Sequence, residues 1–395
     1  MKTPRPSARL ETLSHLKNLK MARSAHAYVR GSTVQFYEWL HSQPGRRLPK
    51  GPAVWICGDC HAGNLGPTGD LKGRTDIHIR DLDQTVIGNP AHDLVRLALS
   101  LATAARGSDL PGVATARMLE EMMVGYELAF QEDVEAEPPR PAQVKAGMRN
   151  AVQRTWKHLA RERIENTRPT IPLGKHFWSL SKPERAALKT LCATPQIHTL
   201  VTALKGRSND DKVQLLDSAY WVKGCSSLGL KRYAVLLGIG EGEDQDYCLI
   251  DVKQAIAAAA PRVARAAMPR DNGKRVVEGA RFLSPGLGNR MLATRVLDDG
   301  FFIRELLPQD MKLELDQLSQ TEAMLAAGYL ARVVGLAHAR QMDMATRLSW
   351  ITELQSCRSK TLDAPSWLWS SVVQLVASHE RGYLEHCRRY ALQHR

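Results

Sequence analysis

The sequence predicts an α+β protein of two lobes, with helix-rich flanks around a strand-rich segment at about 215–310. Tyr233–Ile239 and Tyr247–Val252 are apolar runs of strand length joined by the turn GEGEDQD. Met291–Val296 and Phe301–Leu306 repeat that pattern around Asp298-Asp299-Gly300, a strong hairpin turn signal. On the flanks, apolar residues recur at helical spacing, as in Leu94, Leu97, Ala98, Leu101 and Ala102.

In chain order, residues 8–42 read as two helices broken at Arg30-Gly31-Ser32. Ala53–Cys57 is a short apolar run ending at Gly58, the mark of a buried strand. Asp76–Arg80 alternates and reads as a second strand, which is expected to pair with the first around loop 58–75. Pro90 opens a helix, because its missing N–H costs nothing in the first turn. Another helix follows at about 111–131. Glu132–Pro141 is acidic and proline-rich and reads as a linker or exposed turn. Residues 142–204 look helical with interruptions, and 319–340 and 366–392 are helical.

The 395 residues allow a large core and two or three lobes. The chain is 44% hydrophobic and 24% charged, which places it among ordinary soluble globular proteins. A net charge of +13 suits an anionic partner: a nucleotide, a phosphorylated substrate, nucleic acid or a membrane surface. It does not choose among them, and no helix-turn-helix or zinc signature supports nucleic acid. The start lacks an apolar stretch behind its basic residues, so it does not read as a secretory signal. The richest apolar run, Leu94–Ala105, carries Arg96 and falls short of the ~18 residues of a membrane span. Seven irregularly spaced cysteines do not form a disulfide framework. The expectation is a cytoplasmic protein with reduced thiols and no membrane partner.

Two constellations carry chemistry. The first is Gly58-Asp59-Cys60-His61-Ala62-Gly63-Asn64, followed by Ile79-Arg80-Asp81-Leu82-Asp83. Phosphoryl transfer needs a carboxylate to orient or deprotonate the acceptor hydroxyl, and hard oxygens for magnesium. Asp59 would be the base, and Asn64 and Asp81 would hold the metal. As single residues, all three also fit the capping of turns. Cys57, Cys60 and His61 match a c-type haem attachment pattern, but that attachment normally goes with an export signal. The same three could hold zinc, though no second Cys or His pair stands at a suitable spacing. The second constellation is Gly224-Cys225-Ser226-Ser227-Leu228-Gly229, where small residues let backbone N–H groups approach phosphate oxygens. Alone it is a weak signal. Lys253 on a following strand strengthens it, and Glu278 on the next helix could hold that lysine.

GDCHAGNL with IRDLDQTVIGNPAHDLVRLA resembles the catalytic core of aminoglycoside phosphotransferases and choline-kinase-like enzymes. The resemblance implies Asp59 as catalytic aspartate, Asn64 and Asp81 as magnesium ligands, and Asp93 as the brace of the loop, with His61 and Asp83 in support. The leading histidine of those enzymes is replaced by Cys57, and Arg80 precedes the metal aspartate. Along most of its length the chain also resembles the bacterial domain of unknown function 2252. The matching pieces include Arg30-Gly31, Gly58-Asp59-x-His61-x-x-Asn64-x-Gly66, Asp81-x-Asp83, Asp93-Leu-x-Arg96, Ser227-x-Gly229 and Val252-Lys253. They continue with Arg275-Val-Val-Glu278-Gly, Ile303-Arg304-x-Leu306 and Ala337-His338-Ala339-Arg340. Ser226 stands where that family usually has glycine.

In ordinary kinases the glycine-rich turn and lysine precede the catalytic loop, whereas here they follow it by more than 160 residues. The resemblance therefore implies a protein-kinase-like fold with circularly permuted lobes. Residues 1–208 would form the large helical lobe with the catalytic and metal-binding loops. Residues 209–312 would form the small nucleotide-binding sheet lobe, and residues 313–395 would return to the large lobe. ATP and magnesium would sit between the lobes. Gly224, Ser226, Ser227, Gly229 and Lys253 would face the phosphates, and the strand carrying Arg304 and Leu306 would line the adenine pocket. The function expected is phosphoryl transfer to a hydroxyl-bearing small molecule. Nucleotidyl transfer at the same site and a non-catalytic nucleotide-binding regulator remain as alternatives.

Overall fold

A computed structural model describes residues 4–42, 48–131, 139–164, 170–225, 227–242, 245–313, 318–358 and 365–390. Ser226 and most of the linker expected at Glu132–Pro141 lie outside the described residues. The chain opens with α1 (Arg9–Met21), α2 (Ala25–Gly31) and α3 (Thr33–His41). Three helices replace the expected two, because the Ser24 hydroxyl caps α2 by accepting from the Ala27 N–H at 3.1 Å. The break expected at Ser32 is present.

Four short strands follow: β1 (Val54–Ile56), β2 (Leu65–Gly69), β3 (Thr75–Ile79) and β4 (Val86–Gly88). The expected pairing of β1 with β3 does not occur. β1 pairs with β4, and β3 pairs with β2. The sequence hides β2 because Gly66, Pro67 and Gly69 are poor strand formers. Gly66 is needed there, since a side chain would run into the Met311 carbonyl.

Helices α4 (Ala91–Gly107), α5 (Gly112–Leu128), α6 (Ala142–Val152) and α7 (Trp156–Ile164) come next. The short strand β5 (Phe177–Trp178) leads to α8 (Lys182–Cys192) and α9 (Pro195–Thr202). The sheet segment is β6 (Val213–Trp221), β7 (Arg232–Ile239), β8 (Asp246–Gln254), α10 (Asn272–Leu283), α11 (Pro285–Gly288), β9 (Met291–Val296) and β10 (Asp299–Leu306). Helices α12 (Gln320–Ala339), α13 (Met344–Ser356) and α14 (Ser366–Tyr390) close the chain. The fold is thus mixed α+β.

The large sheet has six antiparallel strands in the order β5-β6-β7-β8-β10-β9. Both expected hairpins are present as β7–β8 and β9–β10. Alternation along the strands assigns the two faces. Tyr233, Val235, Ile250, Val252, Phe301 and Ile303 enter one apolar cluster with Leu188 and Ile197 of α8 and α9. That cluster also contains Trp178, so the sheet's core reaches back beyond the boundary expected at residue 208. The other face carries Arg232, Asp251, Lys253 and Arg304 at one end. Register places Arg232 opposite Lys253 and Arg304 opposite Asp251. Ala234, Leu236, Leu249 and Leu306 continue that face as apolar surface.

A second, larger core joins α4, α5, α12 and α14 to the short strands. Helices α5 and α12 approach at Gly125 and Gly328, where a Cβ on Gly125 would collide with the Gly328 carbonyl. Helix α14 lies against the N-terminal helices through His379, whose ring meets Tyr28 edge-on at 6.4 Å.

His379 is 6% exposed and its Nδ1 donates to the Leu375 carbonyl at 2.9 Å. Burial, with Arg96 nearby, pulls its pKa from 6.5 to about 4. The unfolded chain takes up this proton near pH 6.5, while the folded chain does not until about pH 4. This group therefore costs nothing above pH 6.5 and destabilises the fold progressively below it. We expect His379→Gln to lose about 3 kcal/mol less stability than wild type between pH 7 and pH 4, read by urea unfolding. Identical pH profiles for the two proteins would contradict this.

Candidate active site

The site is assembled from the short-strand region upward. Ile56 ends β1, and the next residues must turn sharply. Gly58 does so with φ of 75°, and a Cβ there would strike the Gln84 carbonyl. The N–H groups of Cys57 and Gly58 donate to the two oxygens of Asp93 at 2.7 and 2.9 Å. Asp93 sits in the first turn of α4 and is fully buried. Its Oδ2 also meets His338 Nε2 of α12 at 3.2 Å. Tyr126 Oη donates to His338 Nδ1 at 2.9 Å and accepts from Trp350 Nε1 at 3.1 Å, which sets the histidine tautomer. Asp93 therefore ties the Cys57–Gly58 turn to α4 and, through His338, to α12.

One helical turn along α4, Arg96 is fully buried and donates to Asp59 Oδ1 at 2.8 Å and to the Val29 carbonyl at 2.7 Å. Among the described residues the other Asp59 oxygen has no such partner, and Asp59 lines the cleft between the loops and the sheet. Asn64 Nδ2 donates to the Asp59 carbonyl at 2.9 Å, which leaves Oδ1 of Asn64 as its remaining acceptor. His61 is 3% exposed and lines the same cleft, with no hydrogen-bond partner for Nδ1. Burial and the cations Arg96 and Arg30 hold its pKa well below 6.5, so the ring is neutral.

Asp81 follows β3 and is half-exposed in this cleft. Burial acts to raise its pKa, but Lys253, the contact with Asp83, Arg304 and Arg232 outweigh it and keep Asp81 a carboxylate. Asp83 is pushed up to about 7 by burial and by the charge of Asp81, with Lys253 pulling the other way. Two adjacent carboxylates that cannot both ionise comfortably suit a cation. Asp83 Oδ1 is buried without a partner. No group of three or more His, Cys, Asp or Glu arranged to hold a metal occurs among the described residues. A magnesium ion here would thus rely on Asn64 and Asp81 together with ligand phosphates, which is its usual habit.

Opposite these loops stands the turn between β6 and β7. Gly224 has φ of 105°, and a Cβ there would hit the Ser227 hydroxyl. Gly224 and Ser227 line the cleft, as do Arg304 and Leu306 of β10. The enclosed volume is about 250 Å³. Among the described residues, cations outnumber carboxylates on its walls, with Arg80, Lys223, Arg232, Arg304 and Lys312 joined by Lys20 and Arg30.

Three expectations need correction. Gly229 faces a neighbouring cavity shared with Asp83 and Gln84, because its turn leads away from the cleft into β7. Lys253 does not line the cleft. It is 3% exposed and its ammonium bonds Asp83, with Asp81 at 3.6 Å. Glu278 does not hold that lysine and does not reach the cleft. Its helix contributes Arg275 instead, which donates to the carbonyls of Thr85, Asp83 at 3.0 Å and Ile256 at 2.8 Å.

Sequence reasoning also missed Arg96, Arg232 and Asp251 as site residues. Arg232 clamps Asp251 at 2.7 and 2.5 Å, and Arg304 stands 3.5 Å from the same carboxylate. The available signal was a charge inside an otherwise apolar helix or strand, since a fully buried charge is rarely tolerated unless paired.

The profile of a family described as "Uncharacterized protein conserved in bacteria (DUF2252)" matches residues 9–389. The chain belongs to this family. No curated protein and no solved structure matches it. The DUF2252 match spans the Gly58–Leu65 loop, the sheet and helices α12 to α14, so the cleft is built entirely within the family's own segment. No helix among its described residues is long and apolar enough to cross a membrane.

Asp93→Asn offers an amide N–H where the loop or His338 needs an acceptor. We expect it to cost about 2–3 kcal/mol in chemical denaturation. Unchanged stability would show that Asp93 is not the brace.

Proposed function

We propose that this protein is an ATP- and magnesium-dependent phosphotransferase, with a kinase-like site whose lobes occur in permuted order. One observation carries the reading. Asp59, Asn64, Asp81, Gly224, Cys225 and Ser227 line one cleft, although the last three follow the loop by about 160 residues. The order strand, glycine turn, strand, then lysine on the next strand is the phosphate-gripping order of kinase small lobes. His338 near the end of α12 reaching Asp93 supports the return of the C-terminal helices beneath the catalytic loop.

In this reading the terminal phosphoryl group of ATP moves to an acceptor hydroxyl. The acceptor oxygen forms the new bond to phosphorus, the bond to the β–γ bridging oxygen breaks, and ADP leaves. Asp59 orients the hydroxyl through its open oxygen and takes the proton, while Arg96 fixes the carboxylate by the other. Asn64 and Asp81 would hold magnesium, which supplies charge neutralisation on the phosphates. Arg232, Arg304 and Lys223 face the phosphates from the sheet side. Lys253 positions Asp81 and Asp83. Leu306, Leu307 and Leu159 form an apolar wall suited to a nucleobase.

Thermal unfolding with ATP, with and without magnesium, tests this on wild type and Asp81→Ala. Saturating ATP with magnesium is expected to raise the wild-type midpoint by about 3 °C or more, and the variant's by much less. Phosphorus NMR of the products separates ADP from AMP and pyrophosphate. No magnesium-dependent rise in wild type would overturn the assignment, and AMP with pyrophosphate would replace it with nucleotidyl transfer.

A further inference from the structure

We propose that the acceptor is itself a phosphate-bearing hydroxy compound, whose phosphate is seated by Arg30 and Lys20 beside the Asp59 loop. This rests on the phosphotransferase reading, and it departs from the cationic acceptors of the aminoglycoside and choline enzymes that the motifs resemble.

Two groups of cations stand at or beside the cleft. On strands β7, β8 and β10 each has a carboxylate. Arg232 pairs with Asp251, Arg304 stands 3.5 Å from Asp251, and Lys253 pairs with Asp83 and Asp81. The second set comes from α1 and α2. Among the described residues, neither Lys20 nor Arg30 forms an ion pair. The Lys20 ammonium donates to the Gly224 carbonyl at 2.7 Å, so it spans from the N-terminal helices to the glycine turn. Arg30 Nε is buried without a hydrogen-bond partner.

Arg30 stands on the Asp59-loop side, and Lys20 bridges from there to the glycine turn. A Cβ built on Gly63 would lie 3.4 Å from the Arg30 guanidinium carbon and 3.2 Å from the His61 ring. Arg30 therefore packs against the loop that carries Asp59, while the sheet cations gather around Asp81. Lys17 and Lys312 add positive charge at the same corner, acting on the Cys225 thiol together with Lys20 and Arg30. Burial, with Arg23 and Arg30, lowers the Lys20 pKa against the pull of Cys225. Cations crowded together in a partly buried corner gain most from an anion. A guanidinium fork with an adjacent ammonium suits a phosphate, whereas a cationic acceptor would be repelled.

The test uses the full chain saturated with magnesium and a non-hydrolysable ATP analogue, so that the nucleotide's own phosphate positions are filled. Inorganic phosphate, a sugar phosphate, citrate and a polyamine are titrated by calorimetry at constant ionic strength. Phosphate and the sugar phosphate are expected to bind, with roughly tenfold weaker affinity in Arg30→Gln and partial recovery in Arg30→Lys. Lys20→Gln gives the same readout should Arg30→Gln fail to fold. Binding of the polyamine, binding of citrate without phosphate, or phosphate affinity unchanged in both glutamine variants would overturn the proposal. Failure of the analogue to bind would instead sink the phosphotransferase reading, and the same titrations without nucleotide would still judge the Arg30–Lys20 corner.

Discussion

The contact between Lys253 and the carboxylates of Asp83 and Asp81 is the constraint on which the rest of this molecule depends. The Lys253 ammonium is 3% exposed, and a charge so buried needs an anion beside it. Its partners lie 170 residues away in the chain, on the loop after β3. Removing those carboxylates with the junction intact would strand that charge, a penalty of about 3–5 kcal/mol. Arg275 adds to the same junction by donating to three carbonyls around it. The sheet and the loops are therefore held in one arrangement before any ligand arrives.

From the other side, the loop is held by hydrogen bonds that run through the helical core. Asp93 accepts two loop N–H groups, and His338, Tyr126 and Trp350 extend the chain of contacts across α5, α12 and α13. Buried networks of this kind are rigid when every member is satisfied. The consequence for chemistry is positional. Phosphoryl transfer asks a protein chiefly for positioning and electrostatic stabilisation. On the proposed reading Asp59, fixed through one oxygen by Arg96, would meet that need with its other oxygen.

Much of this was legible in the sequence, for local reasons. The two sheet hairpins are short-range pairings with turn chemistry at the right place, and the Asp59, Asn64 and Asp81 spacing reflects one compact loop and strand. What stayed hidden is non-local. Nothing in Val54–Ile56 says that its partner is Val86–Gly88, and β2 is disguised by the glycines and proline that let it pass close to the Met311 backbone. Strand β6 is hidden in the sequence because Gln214, Asp217 and Ser218 break its alternation, with a bulge between Leu215 and Asp217. The partner of Lys253 was assigned to Glu278 by analogy. The fold supplies Asp83 instead, because the loop after β3 runs directly beneath β8. Lys20 carried no motif and Arg30 only a matching piece with no role attached, and the packing of α1 and α2 on the glycine turn brings them to the cleft.

The most direct test is a crystal structure with magnesium and a non-hydrolysable ATP analogue. This account places the triphosphate between the Gly224–Ser227 turn and Asp81, the ion on Asn64 and Asp81, and the base against Leu306. A nucleotide bound elsewhere, or an ion that touches neither Asn64 nor Asp81, would contradict it.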